Sequence, residues 1–253
     1  MNIADRHKFI LDKVVREGNV SVLELSEELG VSAVTIRKDL KFLEEKKLLF
    51  RTHGSASHVD PYVNDRPVNV KESIQVDEKR RIALKAVELI KPEDSIIIAS
   101  GTTVLEVARA IDSHIKLTVL TAAMNIAESL LGHKDVEIVM LGGVLRKSSF
   151  SAVGPYAEKM LNDFACSNLF LGVDGIDMEF GLTTTNMLEA HLNQKMMKAA
   201  QRTIVVADSS KFGRKGFGKI CDLEAVDTII TDSGINPAFV KKIEEAGVKL
   251  IIA

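Results

Sequence analysis

Apolar residues recur along this chain at two spacings. Up to residue 57 they fall at helical intervals, and beyond residue 76 short apolar runs alternate with helical stretches. In the first region the pattern predicts a helix over 4–16, with Phe9, Ile10, Lys13 and Val14 forming its packing surface, and a second over 21–29. Ser21 with Glu24 three residues on has the spacing of a capping box, in which each side chain satisfies a backbone N–H left unpaired at the helix start. Gly30 supplies a turn, and Ser32 suits the N-cap of a third helix because its hydroxyl can accept from the first turn. From there Ile36, Leu40 and Leu43 share one narrow stripe at roughly 100° per residue. Val34, Thr35, Arg37, Lys38 and Lys41 are left on the other faces.

Two short helices joined through a glycine turn, the second lined with Thr, Arg and Lys, form a helix-turn-helix pattern, whose second helix enters the DNA major groove. A helical hairpin with a solvated charged face is the plain alternative. The segment after it, 48–53, alternates apolar and basic residues and ends in Gly54, which predicts a small wing hairpin carrying Arg51 and His53. Such a wing would lay positive charge along the phosphate backbone. The candidate DNA-binding residues are therefore Ser32, Val34, Thr35, Arg37, Lys38, Lys41, Arg51 and His53.

From 58 to 75 no period is sustained, and Pro61 and Pro67 discourage a continuous helix. A linker is expected there, between a winged helix-turn-helix domain at 1–57 and a larger α/β domain at 76–253. In the larger domain strands are predicted at 95–99, 117–120, 137–141, 168–173, 203–207, 228–230 and 249–252. Helices are predicted at 78–90, 104–112, 125–131, 156–163, 188–200 and 237–246. Continuous apolar strands separated by helices imply a mostly parallel sheet covered on both faces, with ligands bound at the carboxyl ends of the strands.

Composition changes the picture in three ways. With 46% hydrophobic residues among 253, the chain can build a core. A net charge of −2 confines any nucleic-acid contact to a local patch. That patch is Arg37, Lys38, Lys41, Lys46, Lys47 and Arg51, diluted by Asp39, Glu44 and Glu45, so specific binding calls for two copies of the module. Cys166 and Cys221 lack a CxxC spacing or a His cluster, which favours buried reduced thiols and no metal or cofactor. The N-terminus lacks the apolar core of a signal peptide, and no apolar run reaches membrane-spanning length, so a cytoplasmic protein without membrane contact is expected.

The predicted strand ends carry the remaining candidates. Ser100-Gly101-Thr102-Thr103 precedes a helix whose unpaired N–H groups suit a phosphate, although a glycine turn with a Thr cap explains the same residues. The Lys and full glycine pattern of a nucleotide-hydrolysing loop are missing. Gly142-Gly143 leads to Arg146, which can grip an anion or simply be solvated. Asp174 and Gly175 suit sugar hydroxyls, or an ordinary Asp-Gly turn. Thr183, Glu189 and Lys211 complete a polyol-phosphate pocket on this reading.

Taken together these residues resemble the DeoR family of bacterial transcriptional regulators, over essentially the whole chain. At the front the resemblance lies in Val20-Ser21-Val22, Glu24-Leu25-Ser26, Leu29-Gly30-Val31-Ser32, Thr35-Ile36-Arg37-Lys38-Asp39-Leu40 and Arg51-Thr52-His53-Gly54. At the back it lies in Ser100-Gly101-Thr102-Thr103, Leu141-Gly142-Gly143, the run from Phe170 to Ile176, Gly181-Leu182-Thr183 and the run from Ala207 to Phe212. The resemblance implies a sensor domain similar to ribose-phosphate isomerase. It also implies a repressor of carbohydrate-utilisation genes, oligomeric (dimer or tetramer), released from double-stranded DNA by a phosphorylated sugar, with Thr121 among the pocket residues. Ala99, Ala122 and Ser55 depart from the family pattern, the first two at expected pocket positions. Glu189-Ala190-His191-Leu192-Asn193 and Met124-Asn125 look most like the amino-sugar branch. The rival class is a sugar-phosphate isomerase using Asp174, Glu189 and Lys211 as acid–base groups, for which a helix-turn-helix has no evident use. An RNA-binding regulator lacks an aromatic stacking platform.

Overall fold

The structure, a computed structural model, describes residues 2–46, 48–52, 54–57, 63, 65 and 67–253. Helix α1 (Ile3–Glu17), strand β1 (Asn19–Ser21), helices α2 (Val22–Leu29) and α3 (Ala33–Glu45), and strands β2 (Phe50–Thr52) and β3 (Ser55–Ser57) form the N-terminal module. The predicted caps are present: Ser21 and Glu24 form a reciprocal capping box, and the Ser32 hydroxyl accepts from the Thr35 N–H. Gly30 holds φ +62°, a left-handed conformation that any side chain would strain, and so turns α2 into α3. Ile36, Leu40 and Leu43 pack with Ile10, Val14 and Leu25 in one small core. Phe9, expected on the packing face of α1, is partly exposed, and Arg6 takes a buried place there instead. The wing is three-stranded, because β1 pairs with β3 as β2 does.

The expected linker is partly structured. Helix α4 (Val68–Glu72) begins directly after Pro67, so the proline that argued against a helix marks the start of one. Helix α5 (Val76–Val87) follows, and then β4 (Ser95–Ile98), α6 (Thr102–Ala110), β5 (Leu117–Thr121), α7 (Met124–Leu130) and β6 (Val136–Met140). A hairpin of β7 (Val144–Arg146) and β8 (Ser151–Val153) leads to α8 (Pro155–Met160) and β9 (Cys166–Leu171). Next come β10 (Gly175–Asp177), β11 (Gly181–Thr184), α9 (Met187–Ala199), β12 (Ala200–Val206), β13 (Gly218–Cys221), β14 (Thr228–Thr231), α10 (Pro237–Glu245) and β15 (Lys249–Ile252).

Seven strands form one parallel sheet in the order β15-β14-β12-β9-β4-β5-β6. Alternate residues point to opposite faces, and both sets are apolar. Ile97, Leu120, Leu169, Leu171 and Val205 join one core with residues of α8, α9 and α10, while Ile96, Ile98, Val119, Phe170 and Ile204 join the other with residues of α5, α6 and α7. From β4 the chain winds outward through β5 and β6, then returns to lay β9, β12, β14 and β15 on the other side. The order reverses between β4 and β9, and the crevice at the carboxyl ends of those two strands is where such sheets bind ligands.

Candidate functional site

Two surfaces collect the candidate residues. On the module, Val34, Arg37, Lys38, Lys41, Arg51, Gly54 and Ser55 line one groove between α3 and the wing. Arg37 and Lys38 are exposed and have no ion-pair partner among the described residues. Arg51 is held by Glu44, 3.3 Å from its Nε, and is not a free cation. Ser32 and Thr35 sit at the start of α3 with their hydroxyl oxygens 3.0 Å apart. His53 lies outside the described residues, as does Lys47.

Asp39, expected to dilute this patch, faces away from it. Its carboxylate is buried, accepts from Arg6 Nε at 2.5 Å and Nη2 at 2.9 Å, and lies 3.1 Å from His7 Nε2. Burial pushes the Asp39 pKa up, but Arg6 and then His7 more than reverse this and hold it below the ordinary carboxylate value. The groove is therefore more positive than residue counting implied.

The second surface is a cleft at the reversal point of the sheet. Ser100, Gly101, Thr102 and Thr103 after β4 meet Gly172, Val173 and Asp174 after β9 there. The two loops approach so closely that a Cβ on Gly172 would lie 3.2 Å from the Ser100 carbonyl oxygen. Helix α6 starts at this point with Gly101 as its N-cap and no side-chain hydrogen bond to its first turn, so its unpaired N–H groups have no protein cap. Lys211 lines the same cleft, with no ion pair among the described residues.

At the other end the charges are paired. Asp174 accepts from Lys71 Nζ at 2.7 Å, the Thr184 hydroxyl at 3.0 Å and the Thr185 N–H at 3.2 Å. Burial would raise its pKa, yet Lys71, with Lys211 and the Thr184 hydroxyl adding, brings it below the ordinary value. Arg146, at the end of β7, reaches Glu189 of α9 at 3.3 Å and Asp65 at 2.5 Å.

Eight of the expected pocket residues thus meet: Ser100, Gly101, Thr102, Thr103, Arg146, Asp174, Glu189 and Lys211. Five do not line the cleft. Thr121 is fully buried, its hydroxyl oxygen accepting from the Ala123 N–H. Gly142 and Gly143 open the β7–β8 hairpin, where a Cβ on Gly143 would meet the Val153 carbonyl oxygen at 2.6 Å. Gly175 packs under the Arg214 carbonyl, and the Thr183 hydroxyl bridges the Gly175 carbonyl and the Gly216 N–H. These two support Asp174 from behind, the Thr183 carbonyl accepting its N–H at 2.9 Å. Ala99 and Ala122 are core residues, not pocket contacts. Asp65, Lys71, Ser148, Ser149, Thr184 and Asn193 also line the cleft but were outside the expected set.

Neither cysteine enters either surface. Both are free, and burial pushes the Cys166 thiol up to about 11 and, with Asp222 adding, that of Cys221 up to about 12, so neither is a thiolate at neutral pH. Among the described residues no cluster of His, Cys, Asp and Glu could hold a metal ion, and no helix is long and apolar enough to cross a membrane.

Comparison with known proteins covers both parts of the chain. Residues 6–61 match the DeoR-like helix-turn-helix domain and residues 74–233 the DeoR C terminal sensor domain. Similar proteins include a candidate aga operon transcriptional repressor of Escherichia coli O157:H7, 41% identical over 98% of this chain and 93% of its own length. The transcriptional regulator GlpR of Haloferax volcanii is 36% identical over 98% of this chain and 97% of its own. The glycerol-3-phosphate regulon repressor of Escherichia coli K12 is 33% identical, covering 92% of each. Among solved structures, ribose 5-phosphate isomerase A of Methanocaldococcus jannaschii aligns over 55% of each chain at 15% identity and a TM-score of 0.41.

Proposed function

The chain belongs to the DeoR family of transcriptional regulators, and we propose that it is a repressor of carbohydrate-utilisation genes that leaves its operator when a phosphorylated sugar fills the cleft. The observation that carries the sensor half is the uncapped N-terminus of α6 beside the unpaired Lys211. Partial positive charge from the helix and a full charge from the ammonium border the same cleft, which suits a phosphate. The polyol end then meets Asp174, Arg146 and Glu189, whose acceptors and donors match sugar hydroxyls. Asn193 adds an amide to the wall, in keeping with an amino-sugar intermediate as one candidate.

The DNA half rests on α3 and the wing, with Arg37 and Lys38 free to reach base edges or phosphates. One module presents few free cations, so the working form is a cytoplasmic homo-oligomer, dimer or tetramer, whose paired modules engage two half-sites. Sugar phosphate shifts the population toward a state in which both modules no longer fit. The isomerase reading is disfavoured by the charge pairing: Asp174 is tied to Lys71 and Glu189 to Arg146, and Asp174, held below its ordinary pKa by Lys71, is a weak base.

The test is retention of DNA from the gene's own promoter region by the purified full chain at fixed salt, with and without a panel of hexose and aminohexose phosphates. Release by one member, and not by its unphosphorylated sugar, is the expected result. Tighter retention with every active member would reverse the proposed direction.

A further inference from the structure

We propose that the segment carrying Asp65 and Lys71, which runs on from the DNA-binding module, is a plug seated in the sensor cleft, and that a sugar phosphate enters only by unseating it. This rests on the reading of the cleft as a sugar-phosphate site and assigns the element that transmits its occupancy.

Five contacts seat the segment. Asp65 pairs with Arg146 at 2.5 Å and accepts from the Thr185 hydroxyl at 3.2 Å. The Val63 N–H donates to the Lys215 carbonyl at 2.9 Å and the Val68 N–H to the Ser148 carbonyl at 2.7 Å. Lys71 pairs with Asp174 at 2.7 Å. The side chain of Val68 is 4% exposed, so the start of α4 is packed and not merely laid across the opening. Behind it, the Lys79 ammonium donates to the carbonyls of Lys71 and Ile74, which fixes a pivot at the sensor end of the segment.

The cleft, walled on one side by Asp65, Val68 and Lys71 of the segment, has a volume of about 60 Å³. At roughly 10–15 Å³ for each water site this holds a handful of waters, and a phosphorylated hexose is far larger. The groups already taken, the Arg146 guanidinium and the Asp174 carboxylate, are those a polyol would use. Lys211 and the α6 N-terminus are not taken, so a phosphate can dock there first while the hydroxyls compete for the rest. The Asp65 pair is weak enough to lose that competition: its carboxylate is 42% exposed, and exposed pairs contribute little. Six peptide steps join Ser57 at the end of β3 to Val63, at most roughly 20 Å of chain, so a seated plug limits where the module can sit, beside the direct contact of α1 with α10 in which Asn236 Nδ2 donates to the Val15 carbonyl.

Asp65→Asn and Thr185→Val, made in the full chain, test this. In both, Arg146 keeps Glu189, so no buried charge is left alone. Without any sugar, exchange of the Val63 and Val68 amides should rise, and operator affinity should fall about tenfold in Asp65→Asn and less in Thr185→Val, within the usual range of coupling between sites. Affinity for a galactosamine 6-phosphate or glucose 6-phosphate probe should rise by a similar factor. Wild-type exchange or wild-type operator affinity in Asp65→Asn overturns the plug. If no sugar phosphate binds either protein, the sensor reading fails instead, and the two failures are distinct because the exchange and operator readouts contain no sugar.

Discussion

The groove of the module and the cleft of the sensor both display basic side chains, but among the described residues the groove leaves Arg37 and Lys38 free where the cleft leaves Lys211 alone. Arg37 and Lys38 stand exposed and unpaired, ready for a polyanion that approaches over a broad surface. In the cleft, Arg146 and Lys71 are already neutralised by Asp65, Glu189 and Asp174, and of the lining cations only Lys211 is unpaired among the described residues. A preformed charged surface suits tight, salt-sensitive binding of DNA. An internally compensated cleft suits a small ligand that must compete for its contacts, and competition of that kind converts occupancy into movement of the groups displaced.

The contrast can be broken at several points. Its largest test is Asp39→Ala, which removes the carboxylate that keeps Arg6 paired inside the module and should cost about 3 kcal/mol of stability by thermal or denaturant unfolding. If the cost is near zero, Asp39 does not hold α1 to α3 as described. The same group sets an acid limit. Its folded-state pKa lies below the unfolded value of about 3.9, so its contribution is complete above about pH 4 and is lost as pH falls through the folded value. The melting temperature of the wild type should drop more steeply below pH 4 than that of Asp39→Asn, and parallel curves would contradict the assignment.

Next comes Arg37→Ala, which should weaken operator binding by about 1 to 3 kcal/mol if the guanidinium reads a base. Lys38→Ala should instead lower the salt dependence by about one unit of slope if it meets a phosphate. Unchanged binding in both would remove α3 from the interface. In the cleft, Lys211→Met should weaken sugar-phosphate binding by about 2 kcal/mol in calorimetry, the usual worth of a hydrogen bond to a charged group. An equal loss for the unphosphorylated sugar would place the phosphate elsewhere. Smallest is Ser32→Ala, which removes the cap of α3 and should cost about 1 kcal/mol of stability.

Local chemistry made the module legible in advance. Capping by Ser21, Glu24 and Ser32, the turn at Gly30 and the stripe of Ile36, Leu40 and Leu43 depend only on near neighbours, and each is present. The strand-end rule placed Ser100–Thr103, Asp174 and Lys211 because a parallel sheet brings loops together by topology. Gly142, Gly143, Gly175 and Thr183, expected by the same rule, and Thr121, expected from the family resemblance, do not line the cleft, since a residue at a strand end can face inward as well as into the crevice. Lys71 and Asp65 were invisible for a different reason. Lys71 meets Asp174 across 103 residues and Asp65 meets Arg146 across 81, and no local period encodes such pairs. Asp39 was read as surface because an acid on a charged helix usually is, and its partner Arg6 lies 33 residues away.

The central claim is that the groove and the cleft are coupled, and coupling of two binding sites is reciprocal. The most direct measurement is therefore the affinity of the full chain for an active sugar phosphate, taken once free and once saturated with operator DNA. About tenfold weaker binding in the DNA complex, matched by an equal weakening of operator binding by the sugar phosphate, is the predicted result. Equal affinity in the two states would contradict it.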